Sequence, residues 1–316
     1  MNKLTFFTCP KPFTNPHIRQ IQRNAIGSWL QLSPRPEILL LGDEEGVAEV
    51  AVEFGVRHIP ELELNMYGTP LLSSIFEQAE KAANYSLLCY INADIIVFND
   101  FIEAAERAAS RSKLFMMGGQ RWDIDIREPL DYSSPNWERD FRQFVSKNGV
   151  LHDVSGVDNF LFPRNFWGNM PPFALGRTTY DNWFFYWARK QGAAVIDATR
   201  VVTTIHQNHD YANVPGSEIP VYRGSEATQN RVLAGKGVFT LLDANWLMTT
   251  NGFIRARTYR HIRSAIYSWP VLHPFWSVPF KLIKKLLSIW ERTSSAINGE
   301  IRSTKFSEKV NESTKT

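Results

Sequence analysis

The stretch that decides the fold reads Leu88-Cys89-Tyr90-Ile91-Asn92-Ala93-Asp94-Ile95-Ile96-Val97. With Ser86 and Leu87 before it, its first half is an apolar run of strand length, the pattern of a strand buried on both faces. The run stops abruptly at Asn92-Ala93-Asp94, and apolar residues resume at once. A carboxylate is thereby placed on a turn at the end of a rigid strand. Mg²⁺ and similar cations are held by one or two such carboxylates, with bound phosphates completing the shell. The competing reading is an Asp that caps the turn or the following helix.

Upstream of this run, strand-like and helix-like segments alternate. Residues 4–8 form a short apolar strand ended by Cys9-Pro10-Lys11-Pro12. Residues 17–30 carry Ile18, Ile21, Ala25, Ile26, Trp29 and Leu30 at helical spacing. Residues 37–41 form a second strand, stopped by Gly42-Asp43, and 47–54 a helix with Gly55 at its end. A weaker strand covers 56–59, and a helix covers 70–83 with Thr69 as its cap and Pro70 in its first turn. Such alternation predicts an α/β fold with a mostly parallel central sheet covered by helices on both faces. Ligands of these sheets bind beyond the carboxyl ends of the strands. Lys11, Asp43 and Asp94 gather there.

Downstream the pattern loosens. Residues 114–119 read as a strand, followed by a polar run with Trp122, Asp123 and Asp125. A helix is expected around 136–145, and a strand reached through a turn over 154–162, with Gly156 and Asp158 in the turn. Thr178 to Asn182 leads into an aromatic helix over 183–190, and strand-like segments at 195–198 and 201–205 lead into His206-Gln207-Asn208-His209. Asp181 reads either as a general base or as the N-cap of its helix, two roles that can coexist. Trp167, Trp183 and Trp187 are candidate sugar platforms, against the commoner use of Trp in cores.

Composition bounds the rest. The chain has 316 residues, 44% of them hydrophobic, enough for a sizeable core. A net charge of +3 gives no general affinity for nucleic acid. Cys9 and Cys89 are the two cysteines, the first following an apolar run and the second within another, which argues against a disulfide framework or a zinc site. The first residues carry no long apolar signal region, and no stretch reaches the roughly 18 apolar residues of a spanning helix. A cytoplasmic location, or one on the cytoplasmic face of a membrane, is expected.

The run from Leu88 to Val97 resembles the metal-binding strand of GT-A-fold glycosyltransferases, in particular those similar to glycosyltransferase family 2. Their Asp-any-Asp pattern stands here as Asn92-Ala93-Asp94, with Asn in the first position. The resemblance covers residues 4–211 as a succession of elements. It implies that Asp94 holds Mn²⁺ or Mg²⁺ and that Asn92 and Ala93 contact the nucleotide. Thr8, Pro10, Lys11 and Asp43 would line it too. Asp181 is similar to the general base of inverting members. His206 matches a His that completes the metal shell, with His209 as runner-up. Gly156 and Asp158 resemble a segment beneath the sugars, where Trp122 and Asp123 would join them; a plain turn aspartate is the other reading of Asp158.

The organisation expected is a catalytic domain over 1–250, with a nucleotide half to about 110 and an acceptor half from 111. A basic, aromatic helical extension over 251–291 and a disordered tail over 292–316 follow. Within residues 275–290, Leu282, Ile283, Leu286, Leu287 and Trp290 share one helical face and Lys281, Lys284 and Lys285 another. That pattern suits either an anionic membrane surface or docking on the domain. The implied activity is sugar transfer from a nucleotide-sugar donor to a hydroxyl of a glycan, lipid-linked or protein acceptor. A sugar nucleotidyltransferase is one alternative, opposed by the absence of glycine from the loop at Cys9 to Phe13. A non-catalytic carbohydrate-binding protein is the other.

Overall fold

In the computed structural model, the first half of the chain runs β1 (Leu4–Thr8), α1 (Pro16–Leu30), β2 (Glu37–Leu41), α2 (Val47–Phe54), β3 (Arg57–Ile59), α3 (Leu72–Ala82), β4 (Leu87–Ile91), β5 (Ile95–Ile96) and α4 (Asn99–Arg111). It continues through β6 (Phe115–Gly118), β7 (Arg121–Ile124), α5 (Trp137–Asn148), β8 (Val150–Leu151), β9 (Asn159–Pro163), α6 (Tyr180–Lys190), β10 (Ala194–Asp197) and β11 (Thr204–Gln207). The last elements are α7 (Ile219–Tyr222), α8 (Ser225–Ala234), β12 (Trp246–Thr249), β13 (Gly252–Arg255) and α9 (Tyr259–Leu272). The structure describes residues 4–209, 219–276, 278, 280 and 283–286. Most of the expected basic helix at 275–290, all of the tail from 292, and Tyr211 lie outside these residues.

Among the described residues, nine strands form one sheet, ordered β13-β12-β10-β6-β9-β4-β1-β2-β3. Five of its eight pairings are parallel, and the antiparallel ones are those of β9 with β4 and β6 and of β12 with β13. The fold is thus α/β, a large central sheet flanked by helices. Two units are distinguished, Met1–Thr258 and Tyr259–Thr316. The first takes in β13, which lies in the stretch expected to be a helical extension. The second contains α9. Among the described residues, no helix is long and apolar enough to cross a membrane.

Both faces of the sheet are covered, and β1 shows how. Successive strand residues point to opposite faces. Phe6 packs against Trp29 of α1 and Phe101 of α4, while Phe7 meets Phe76 of α3 edge-on and lies beside Tyr90 and Phe162. That is why these strands read as unbroken apolar runs rather than alternating ones. On the second face Phe76 stacks on Phe162 at 5.7 Å and touches Trp167 and Phe184. Trp167 and Trp183 are buried there.

A second, smaller sheet orders β5-β11-β7-β8. Three strands of the large sheet run on into it: β4 into β5, β6 into β7 and β10 into β11. The small sheet is built from continuations past the carboxyl ends of the large one, where ligands of such folds bind. The polar run after residue 119 is therefore a strand, β7. His206 lies inside β11 rather than past the end of a strand, paired with Ile95 of β5 and Asp123 of β7. Helix α3 also differs from expectation. It starts at Leu72 without a side-chain cap, because Pro70 and Leu71 are extended and pair with Leu64 and Ala174.

Phe76 is 3% exposed at the centre of the second-face cluster. Phe76→Ala should cost about 3–5 kcal/mol, measured as ΔG of chemical unfolding; a loss under 1 kcal/mol would show that this layer does not carry stability.

Candidate functional site

Asp94 occupies the turn between β4 and β5, and the register of the small sheet brings two histidines to it. Because His206 lies opposite Ile95, its Nε2 comes to 3.8 Å from Asp94 Oδ2. His209, two residues past β11, places its own Nε2 3.0 Å from the same oxygen. All three side chains are largely buried, and their ligand atoms lie within 4.8 Å of one another. Two imidazoles and a carboxylate form a donor set that could hold a divalent cation. The other carboxylate oxygen, Asp94 Oδ1, is buried with no hydrogen-bond partner among the described residues. An unpaired buried acceptor costs about 1–3 kcal/mol, which a bound cation would relieve. The residues present fit the ion. Of the two histidines weighed from sequence, the structure brings both to Asp94.

The turn itself is held from behind. Trp29 Nε1 donates to Ile95 O at 2.8 Å, and Gln207 Nε2 donates to Ile21 O and Asp94 O. Asn92 donates both its backbone N–H and its Nδ2 to Asp158, the latter to Oδ1 at 2.9 Å. Asp158 Oδ2 accepts from Arg121 Nη1, and Arg121 Nε donates to Asp123 at 2.9 Å. Asp123 also contacts His152 Nδ1 at 2.5 Å and His206 Nδ1 at 3.2 Å. Asn92, Asp158 and Asp123 are thus tied to protein groups. Gly156 supplies space, since a Cβ there would stand 2.1 Å from His152 Cδ2. Trp122 faces the other way along β7, half-buried against the cluster of Ile124 and Phe141. Arg121 and His152 escaped the sequence reading. The one signal for Arg121 was its spacing of two from Asp123, which puts both on one face of a strand.

The nucleotide-lining candidates lie at neighbouring strand ends. Thr8 and Pro10 are buried, and Lys11 and Asp43 are exposed. Buried Gln22 of α1 clasps the Lys11 backbone through two bonds, at 2.7 Å to its N–H and 2.9 Å to its carbonyl. The Asp94 carboxylate acts electrostatically on the Lys11 ammonium.

Asp181 is the second residue of α6. Its expected alternative role as N-cap falls instead to Thr179, a β-branched residue held at φ 80°, a conformation such residues rarely adopt. The carboxylates of the site titrate far apart. Burial works against the charge of Asp94, but the bond from His209 and the charges of His206, His209 and Lys11 outweigh it and hold the carboxyl well below its ordinary range. Burial opposes Asp123 in the same way, and His206, His152 and Arg121 overcome it. For Asp181 burial wins: helped by the charge of Asp158, and opposed by backbone N–H bonds and Arg121, it raises the pKa from 3.8 to about 6. A carboxylate with that value accepts a proton near neutral pH better than an ordinary one.

No family model matches the sequence, and no curated protein does. Among solved structures, the chain is similar to the crystal structure of GalNAc-T7 with UDP, GalNAc and Mn²⁺, with a TM-score of 0.46 and 16% identity, over 74% of this chain and 48% of that one. This chain spans about half the length of that protein.

Between pH ~4, the unfolded value, and about 6, the folded chain holds a proton on Asp181 that the unfolded chain has lost. Asp181 therefore lowers stability as the pH rises through this window, and the loss is complete above it. Asp181→Asn removes the loss, so the free energy of unfolding at pH 7.5 should rise, by about 3 kcal/mol, and thermal unfolding should shift upward with it. At pH 4 the two proteins should melt alike. A variant that melts lower at both pH values would contradict the raised pKa.

Proposed function

We propose that this chain is a glycosyltransferase that moves a sugar from a nucleoside-diphosphate sugar to a hydroxyl acceptor with the help of a divalent cation. The observation that carries the reading is the Asp94–His206–His209 donor set at the carboxyl edge of the sheet, with a buried carboxylate of raised pKa, Asp181, on a separate element. The GT-A resemblance of the strand from Leu88 to Val97 supports the same reading.

Asp94, His206 and His209 would hold the cation, which when bound neutralises the charge that develops on the leaving diphosphate. Two imidazoles favour Mn²⁺ or another transition ion over Mg²⁺, which prefers oxygen ligands and retained water. Asn92, Ala93, Thr8, Pro10, Lys11 and Asp43 would line the nucleotide, with Lys11 adding a positive charge. Asp181 would take the proton of the acceptor hydroxyl in an inverting transfer, worth about 10²–10⁴-fold in rate. Asp158, held by Asn92 and Arg121, would border the sugars beside Gly156.

The test is release of nucleoside diphosphate from a panel of nucleotide sugars, with and without Mn²⁺. Asp94→Ala should abolish metal-dependent donor binding and turnover together. Asp181→Asn should keep donor binding and lower turnover at least 10²-fold, and the intact enzyme's rate should climb with pH through about 6. Release of pyrophosphate would point to a nucleotidyltransferase, and sugar binding without turnover to a binding protein; either defeats the proposal.

This reading includes a peripheral membrane contact, expected through residues about 275–290. Between Tyr259 and Trp290 the sequence holds five Lys or Arg and no Asp or Glu. In the second unit Ile262, Trp269 and Phe275 are exposed. Basic charge beside exposed apolar and aromatic side chains suits an anionic bilayer and a lipid-linked acceptor. Co-sedimentation with phosphatidylglycerol-containing vesicles should exceed that with pure phosphatidylcholine and fall as salt is added. Equal partition into both would refute the membrane contact.

A further inference from the structure

Asp123 stands between three groups that donate or carry charge. Its Oδ1 accepts from Arg121 Nε at 2.9 Å and lies 3.2 Å from His206 Nδ1, a buried nitrogen with no hydrogen-bond partner among the described residues, so the contact is electrostatic. Its Oδ2 lies 2.5 Å from His152 Nδ1. The His152 ring rests where a Cβ at position 156 would be, so Gly156 is a requirement for this seat. The backbone fixes His152 as well, with its N–H bonded to Arg121 O and its carbonyl accepting from Gln120 Nε2. Engaged in this way, Asp123 is poorly placed to serve a sugar hydroxyl, and its geometry suits another task.

That task follows from the two nitrogens of His206. Nε2 faces Asp94, and Nδ1 faces Asp123. A neutral imidazole carries one N–H, and the partner of one nitrogen decides which. With the proton on Nδ1, beside the Asp123 carboxylate, the lone pair falls on Nε2, among the Asp94 and His209 atoms. With the proton on Nε2, the ring would present a donor where a cation needs a lone pair. Carboxylates that hold ligand imidazoles in this manner typically account for 10–100-fold in metal affinity.

We propose that Asp123 is a positioning residue that fixes His206 as an Nε2 ligand, and that His152, seated by Gly156, holds Asp123 in place for it. The inference rests on the reading of Asp94, His206 and His209 as the ligand set. Arg121 adds a mechanical consequence: by gripping Asp123 and Asp158 together, it links the orientation of His206 to the Asn92 turn.

Two measurements test it, neither of which needs turnover. In the metal-free protein at pH 9, long-range ¹⁵N–¹H correlation should show His206 protonated on Nδ1, and Asp123→Leu should move protonation toward Nε2. Titration with Mn²⁺, followed by the loss of its free-ion electron paramagnetic resonance signal, should give 10–100-fold weaker binding in Asp123→Leu and a smaller loss in His152→Ala. An Nε2–H tautomer in the intact protein overturns the proposal, and so does Mn²⁺ affinity within twofold of the intact protein in Asp123→Leu. Should that variant not fold, the tautomer of the intact protein still decides. If the intact protein shows the Nδ1–H tautomer yet binds no Mn²⁺, the ligand-set reading is what fails, which separates the two.

Discussion

The side-chain amide of Gln207 is the joint on which the rest of the structure hangs. It is fully buried, its Nε2 donates to Ile21 O at 2.7 Å and Asp94 O at 3.1 Å, and its Oε1 accepts from Asn24 at 2.9 Å. Three parts of the chain meet there: α1, the turn after β4, and β11. A buried amide with its hydrogen bonds made is both stabilising and directional, and a displaced one leaves several groups unpaired at once. Asn24 carries the same tie onward through its Oδ1, which accepts from Leu130 N at 3.0 Å. The neighbours of Gln207 in sequence include His206 and His209, so the joint that closes the small sheet also sets where the histidines stand.

The electrostatic character of the site follows from crowding. Asp94, Asp123 and Asp158 act on Arg121, and Asp158 and Arg121 act in turn on Asp181. Arg121 lies among them, its own pKa raised by Asp158 and Asp123 against the effect of burial. Asp94 and Asp123, which contact imidazole or cationic groups directly, are pushed toward the charged form. Asp181 feels burial and the repulsion of Asp158 more than it feels Arg121, and goes the other way. One environment thus produces carboxylates committed to charge and one that exchanges a proton near neutrality, a division of labour that often marks functional sites.

Most of the large sheet could be read from the sequence because its signals are local. Apolar runs of strand length, ended by Gly42 or by Asn92, alternate with helical spacing such as that from Ile18 to Trp29. The small sheet was harder to read because its strands are only two to four residues long and owe their existence to pairing with distant segments. Two-residue β5 has no signature of its own; it is a strand because β11 lies against it. For the same reason His206 was expected past a strand end and is found within one. Asp94 was legible as a candidate from its abrupt position. The engagement of Asp123 was not, since only tertiary structure brings His152 and His206 to it. Thr69 misled as a cap because the bridges of Pro70 and Leu71 hold that stretch extended.

The ligand candidates are far apart along the chain, with Asp94 and His209 separated by 115 positions. Bringing them together requires β4, β7 and β11 to have found their places, with all the loop closure that entails. No short fragment or half-folded chain presents the three groups at once. An ion or donor that engages all three would therefore bind the folded chain more tightly than the unfolded one, and by mass action deepen the native basin by up to RT ln(1 + [L]/Kd). A ligand held by all three groups would thus favour chains that have closed the small sheet over misassembled ones.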